Sequence, residues 1–137
     1  ALLGGEMRVA QGTIELAAGD STDNDIVMLA PIPSHATIPQ LFIGTDTFGG
    51  SCTFNVGLYL ADGTVKDEDC FATSVADAAA MTDVRFEVAD LNTAGQRVYE
   101  LAGDSTDPGD YYYVAVTFDA TGGTAGTMSF NIVYVVN

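Results

Sequence analysis

Apolar and polar side chains alternate with a period of two through Tyr111–Phe118 and again through Thr127–Val136. That is the period of a β-strand, whose successive side chains point to opposite faces. Tyr112, Val114, Val116 and Phe118 fall on one face of the first segment, with Tyr111, Tyr113, Ala115 and Thr117 on the other. In the second, Met128, Phe130, Ile132, Tyr134 and Val136 are expected inward, and Thr127, Ser129, Asn131, Val133 and Val135 outward. Thr53–Ala61 repeats the pattern with Phe54, Val56, Leu58 and Leu60 on one face, as does Asp83–Val88 with Val84, Phe86 and Val88. A chain patterned this way is committed to sheets with one buried face.

Three more strands are expected, over Met7–Ala17, Asp25–Ala30 and Thr37–Asp46. Pro31 and Pro33 are expected to stop the second, and Pro39 places the third at an edge or marks its first residues. Asp62-Gly63 is a hairpin or turn signal. The alanine-rich Phe71–Met81 and the segment Thr93–Leu101 read as two short helices. Ala18-Gly19-Asp20-Ser21-Thr22-Asp23 recurs letter for letter at Ala102–Asp107, and both copies are expected to form the same Asx-type turn. Seven or eight strands with turns at short intervals predict an all-β antiparallel sandwich, jelly-roll-like, with one or two short helical insertions. Residues 1–6 read as an N-terminal arm and residues 7–137 as a single β-sandwich domain. Leu2 and Leu3, flexed by Gly4 and Gly5, either dock into a neighbouring subunit or form a frayed end.

The charge decides between classes of partner. Nineteen Asp and Glu stand against four Lys and Arg, a formal net charge of -15, in a chain that is 47% hydrophobic. Such an acid excess on a poorly apolar chain signals disorder, but here there is enough patterned apolar residue to build a core, so the charge belongs on its outside. Nucleic acid is bound by Lys and Arg that neutralise phosphates, and only Arg8, Lys66, Arg85 and Arg97 are present, scattered. Neither nucleic acid nor an anionic membrane suits this surface; a cationic partner surface does. No apolar run approaches the roughly 20 residues of a membrane span. Ala1 is the residue left when an initiator Met is trimmed, which points to synthesis in the cytoplasm; a cleaved export signal is the alternative.

Chemistry-bearing constellations are weak. Asp20, Asp23 and Asp25, then Asp104, Asp107 and Asp110, then Asp62, Asp67, Glu68 and Asp69 cluster in three segments, but none has the spacing of an EF-hand loop. The one histidine, His35, lies between Pro33 and Pro39 without a nucleophile elbow, and reads as an exposed loop residue. Cys52 and Cys70 read as two buried, reduced thiols, with a Cys52–Cys70 disulfide as the alternative. No catalytic, cofactor-binding or metal-ligating residue is assigned, and the chain is read as a non-enzyme without a cofactor. The alternative is a carbohydrate- or cell-surface-binding sandwich module: the chain lacks tryptophan, but Tyr59, Tyr111 and Tyr113 are candidates for stacking on sugars or, more simply, for contacts to another protein.

The order of features is specific in its sum. Ala18-Gly19-Asp20 leads to a short apolar strand and Pro31–Pro33, then Ile38 and Leu41, Asn55-Val56-Gly57-Leu58-Tyr59, Asp62-Gly63, and Asp67-Glu68-Asp69-Cys70-Phe71-Ala72. A Tyr-containing helix precedes Asp107-Pro108, and a strand over Asn131–Val136 follows at the end. This resembles the small head decoration, or cement, proteins of tailed bacteriophages. The resemblance implies a virion protein on the outer capsid surface, made in the host cytoplasm. It implies binding to the major capsid protein and to itself as a homodimer or homotrimer. Candidate partner-binding residues are Leu2 and Leu3 in the arm, Arg8 and Arg97 for charge-assisted contacts, and Tyr111 and Tyr113 on an outward face.

Overall fold

Period-two patterning becomes strands in chain order: β1 (Glu6–Leu16), β2 (Ile26–Pro33), β3 (Thr37–Thr45), β4 (Thr53–Tyr59), β5 (Val65–Ala76), β6 (Thr82–Asp83), the helix α1 (Val98–Leu101), β7 (Tyr111–Ala120) and β8 (Gly126–Val136). The structure is a computed structural model and describes residues 5–77, 82–84 and 95–136. The described residues form two four-stranded antiparallel sheets, in the orders β1-β8-β3-β6 and β2-β7-β4-β5. The pairs β1·β8, β2·β7, β3·β6 and β4·β5 nest inside one another. The chain therefore runs as one long hairpin, bent at the β4–β5 turn and folded into two layers.

Between the layers the expected inward faces meet. Phe54, Val56 and Leu58 of β4, and Tyr112, Val114, Val116 and Phe118 of β7, are buried against Met128, Phe130 and Ile132 of β8 and Leu41 and Ile43 of β3. Phe118 takes both Phe48 and Phe54 edge-on, with ring centroids 5.8 and 6.2 Å apart. Such aromatic pairs add about 1 kcal/mol each to the burial of their area. Tyr134 and Val136 keep the inward parity but are only half buried, where β8 reaches the rim of the sandwich. On the same sheet's outer face, Val133 and Val135 lie in register with Val9 and Met7 of β1, the latter two being 51% and 69% exposed.

The second sheet's outer face is covered in part by its own edge strand. Glu68–Phe71 of β5 stands opposite Gly57 alone, because β5 pairs Ala72 with Val56 and Asp67 with Leu58. The extra backbone folds over the sheet at Gly57, where an added Cβ would lie 2.1 Å from the Asp67 carbonyl oxygen. Beneath this cover Asn55, Tyr59, Ala115 and Thr117 are buried although their parity is outward. Tyr59 and Thr117 share a hydroxyl–hydroxyl hydrogen bond, and Asn55 accepts from the Ser74 N–H at 2.8 Å.

Several expectations are corrected. Pro31 and Pro33 do not stop β2, which runs through both, paired with Tyr113 and Tyr111. Among the described residues β2 is an edge strand with one side that has no ladder to serve, and there a missing N–H costs little. Pro39 lies among the first residues of β3, beside a register shift between Thr37 and Gln40. Phe71–Ala76 belongs to β5 rather than to a helix, since Phe71 and Ala72 are drawn into the core; residues 78–81 of that expected helix lie outside the described residues. The second expected helix is the single turn α1, which buries Val98 and Leu101. Of the expected Asp83–Val88 strand only its start is described, in β6.

The six-residue repeat folds two ways. In the first copy the Asp20 carboxylate accepts the Ala17 N–H at 2.8 Å, while buried Ser21 accepts the Gly123 N–H at 3.1 Å. In the second, Gly103 adopts φ +88° and closes α1, and the Asp104 carboxylate leaves the turn to accept from Lys66 and Tyr112. The preceding helix decides, because its C-terminus takes a left-handed glycine. Among the described residues no helix is long and apolar enough to cross a membrane.

Candidate interface

One end of the sandwich gathers the start of β1, the β2–β3 turn, the start of β7 and the end of β8, because those strands are antiparallel neighbours. Ser34 organises it. Its hydroxyl donates to the Asp107 carboxylate at 2.5 Å and accepts the Asp110 N–H at 3.2 Å, while its own N–H reaches the Asp110 carbonyl at 2.8 Å. Asp107 also accepts the Gly109 N–H at 2.8 Å. The Ser34 hydroxyl and this N–H hold the Asp107 carboxyl below the usual carboxylate range. The loop that precedes β7 is thus anchored, and Tyr111 at its end is presented 56% exposed.

Two grooves flank Tyr111. The first, of about 540 Å³, is lined by Glu6, Arg8, Pro33, His35, Asp110 and Tyr111, among others. Arg8 is exposed and pairs with Glu6 at 3.4 Å, which raises its guanidinium above the ordinary value; a pair so exposed contributes little to stability. The second groove, of about 530 Å³, is lined by Pro31, Leu60, Ala61, Asp62, Asp110, Tyr111 and Tyr113.

Of the candidates from sequence, Arg8 and Tyr111 therefore share one groove, and Tyr111 and Tyr113 share the next. Arg97 is placed differently: its guanidinium donates to the His35 carbonyl at 2.5 Å, and its N–H to Glu100 at 3.1 Å, so it fastens α1 to the β2–β3 turn. Leu2 and Leu3 lie outside the described residues. Tyr59 is closed off under β5 and is not a surface platform. Pro31, Pro33, His35, Asp62 and Asp110 were missed as groove residues; the prolines had a signal, since a strand that continues through them sets both against tyrosines of β7.

Behind Tyr111 lies a second anchor. Asp104 accepts the Tyr112 hydroxyl and the Lys66 ammonium, the latter at 2.9 Å. Tyr112 first and Lys66 second hold its carboxyl below the ordinary value. A carboxylate with a depressed folded pKa stabilises the protein above its unfolded value of about 4, and that stability is lost as pH falls through the folded value. Asp67 works in the opposite sense, raised by burial and then by its bond with Asp69. The difference between wild type and Asp104→Asn therefore isolates the network. Urea titrations should show the variant less stable at pH 6, with the gap closing towards pH 2; a gap independent of pH would refute this assignment.

Among the described residues no three His, Cys, Asp or Glu side chains are grouped to hold a metal ion. Cys52 is buried, and burial, Asp77 and Asp119 push its thiol up to about 11, so it is protonated and a poor nucleophile at neutral pH. Cys70 is half buried on β5.

The fold is similar to that of a chain in the cyanophage Pam1 capsid asymmetric unit, with a TM-score of 0.51 at 12% sequence identity, covering 100% of this chain and 89% of that one. A chain of the acidic stable capsid of Helicobacter pylori bacteriophage KHP30 aligns with a TM-score of 0.46 at 12% identity, covering 95% of this chain and 87% of that one. No protein-family model and no curated protein matches the chain. At this identity the likeness to the Pam1 chain is one of fold.

Proposed function

We propose that the chain is a structural protein of a tailed-phage capsid. It decorates the outer surface of the head and stabilises contacts between major capsid protein subunits. The observation that carries the reading is the likeness of fold, over its whole length, to a chain of a phage capsid. The nested strand pairing supports the jelly-roll form of the sandwich, in which β1-β8-β3-β6 and β2-β7-β4-β5 are the two expected sheets. The charge of -15 favours the outside of the shell, since packaged DNA would repel it from the inside.

The mechanism is mechanical. Each copy buries surface against two or more neighbours, and many modest contacts per particle add through multivalency. The grooved end carries Arg8, Tyr111 and Tyr113 to those neighbours, with Leu2 and Leu3 as a further contact. Arg97 acts by holding α1 in place. Self-association as a homodimer or homotrimer at local symmetry axes completes the lattice.

Bare heads of the encoding phage, mixed with purified protein and imaged by cryo-electron microscopy, should acquire regular density on their outer surface. Decorated heads should also survive heating that bursts bare ones. Heads that stay bare in excess protein would overturn the reading.

A further inference from the structure

We infer that the groove between Pro31, Leu60, Tyr111 and Tyr113 receives a basic side chain, Arg or Lys, from the surface of a protein partner. Pro31, Leu60 and Ala61 give it an apolar lining that suits the methylene stem of such a side chain. Two phenol rings, Tyr111 and Tyr113, line it, and an aromatic face attracts a cation. Asp62 and Asp110 supply the counter-charge. Each carboxylate is already oriented by a backbone donor, Asp62 by the Thr64 N–H at 2.9 Å and Asp110 by the Tyr111 N–H at 2.8 Å.

Charge complementarity selects the occupant. Among the described residues no basic side chain lines this groove, whereas the neighbouring one already holds Arg8, paired with Glu6. A second copy of the chain is a poor source, because it has only four basic residues and Arg8, Lys66 and Arg97 already pair within it. A sugar is disfavoured, because the two fixed polar groups are charged acceptors and favour a charged donor. The inference deepens the docking role proposed above and takes from it the idea that the partner is a protein.

The test uses the full, isotope-labelled chain titrated with N-acetyl-arginine methylamide, a monocation too small to span the acidic surface, and with the neutral N-acetyl-citrulline methylamide. Amide shifts should centre on residues 60–62 and 110–113 with the arginine probe and be much smaller with citrulline. Asp62→Asn and Asp110→Asn keep a carbonyl for the backbone donor and remove only the charge. Each should weaken the probe roughly two- to fivefold, and Tyr111→Ala should act similarly. Shifts spread over the whole acidic surface, or unchanged in all three variants, overturn the inference, as does a groove response to neutral sugars in place of arginine. The two readings fail separately. Variants that decorate heads as wild type does would remove the groove and leave the capsid role standing. Wild-type heads that stay bare while the arginine probe binds would do the reverse.

Discussion

Replacing Gly57 by alanine is expected to destabilise the protein by about 3 kcal/mol, the upper range for forcing atoms into a packed interior. The new methyl would point at the Asp67 carbonyl oxygen, 2.1 Å away, and the Glu68 carbonyl carbon, 2.3 Å away. Both are backbone atoms, so no side chain can swing aside to make room. β5 would have to lift from β4, opening the cover over Tyr59, Thr117 and Asn55. Urea denaturation of the two proteins measures the cost. A difference below about 1 kcal/mol would mean that β5 does not lie over the sheet at this point.

Phe118→Ala should cost still more, about 4 kcal/mol, as for other large aromatic side chains removed from cores. Phe118 is wholly buried, and its ring is where Phe48 from the β3–β4 loop and Phe54 from β4 converge. Its removal leaves a cavity between groups held on a loop and a separate strand, which cannot all collapse into it. The backbone there is fixed as well, because the Phe118 N–H and carbonyl bond Asp25 and Asn24. Chemical denaturation at matched pH should show the loss, with Phe118→Leu retaining most of the stability. Equal losses for the two substitutions would contradict a cavity as the cause.

The sequence disclosed faces better than neighbours. Along β7 and β8 each side chain sees the core or does not, and that binary choice is written as alternation; the inward residues Val114, Val116, Phe118, Met128, Phe130 and Ile132 are all buried. Tyr59 followed the same rule and was misplaced, because its cover comes from a stretch of β5 that alternation does not register. The one trace of that cover in the sequence is a missing side chain at Gly57. β2 was cut short at Pro31 because a proline's cost depends on whether its strand has a neighbour on that side, which is a property of the sheet.

The grooved end was legible only in pieces. Arg8 and Tyr111 stood out as an isolated charge and an outward aromatic, yet nothing local joins residues 8, 35, 111 and 136, which meet through pairing of the first and last strands. Arg97 looked available because basic residues are scarce, and the His35 carbonyl that engages it is distant in sequence. Identical letters at Ala18–Asp23 and Ala102–Asp107 suggested one turn, but the helix before the second copy redirected it.

The outermost nested pair has a consequence for biosynthesis. Among the described residues β1 sits at the edge of its sheet and hydrogen-bonds to β8 alone, with Glu6 opposite Val136. While the ribosome is still making β8, the first strand has no ladder to join, and its inward Ile14 and Leu16 wait unprotected. Closure must bring Glu6 to Val136 across all the other strands, a pairing of high sequence separation typical of slow-folding topologies. A nascent chain with a bare first strand is the species most open to chaperone capture or to mispairing with its own siblings.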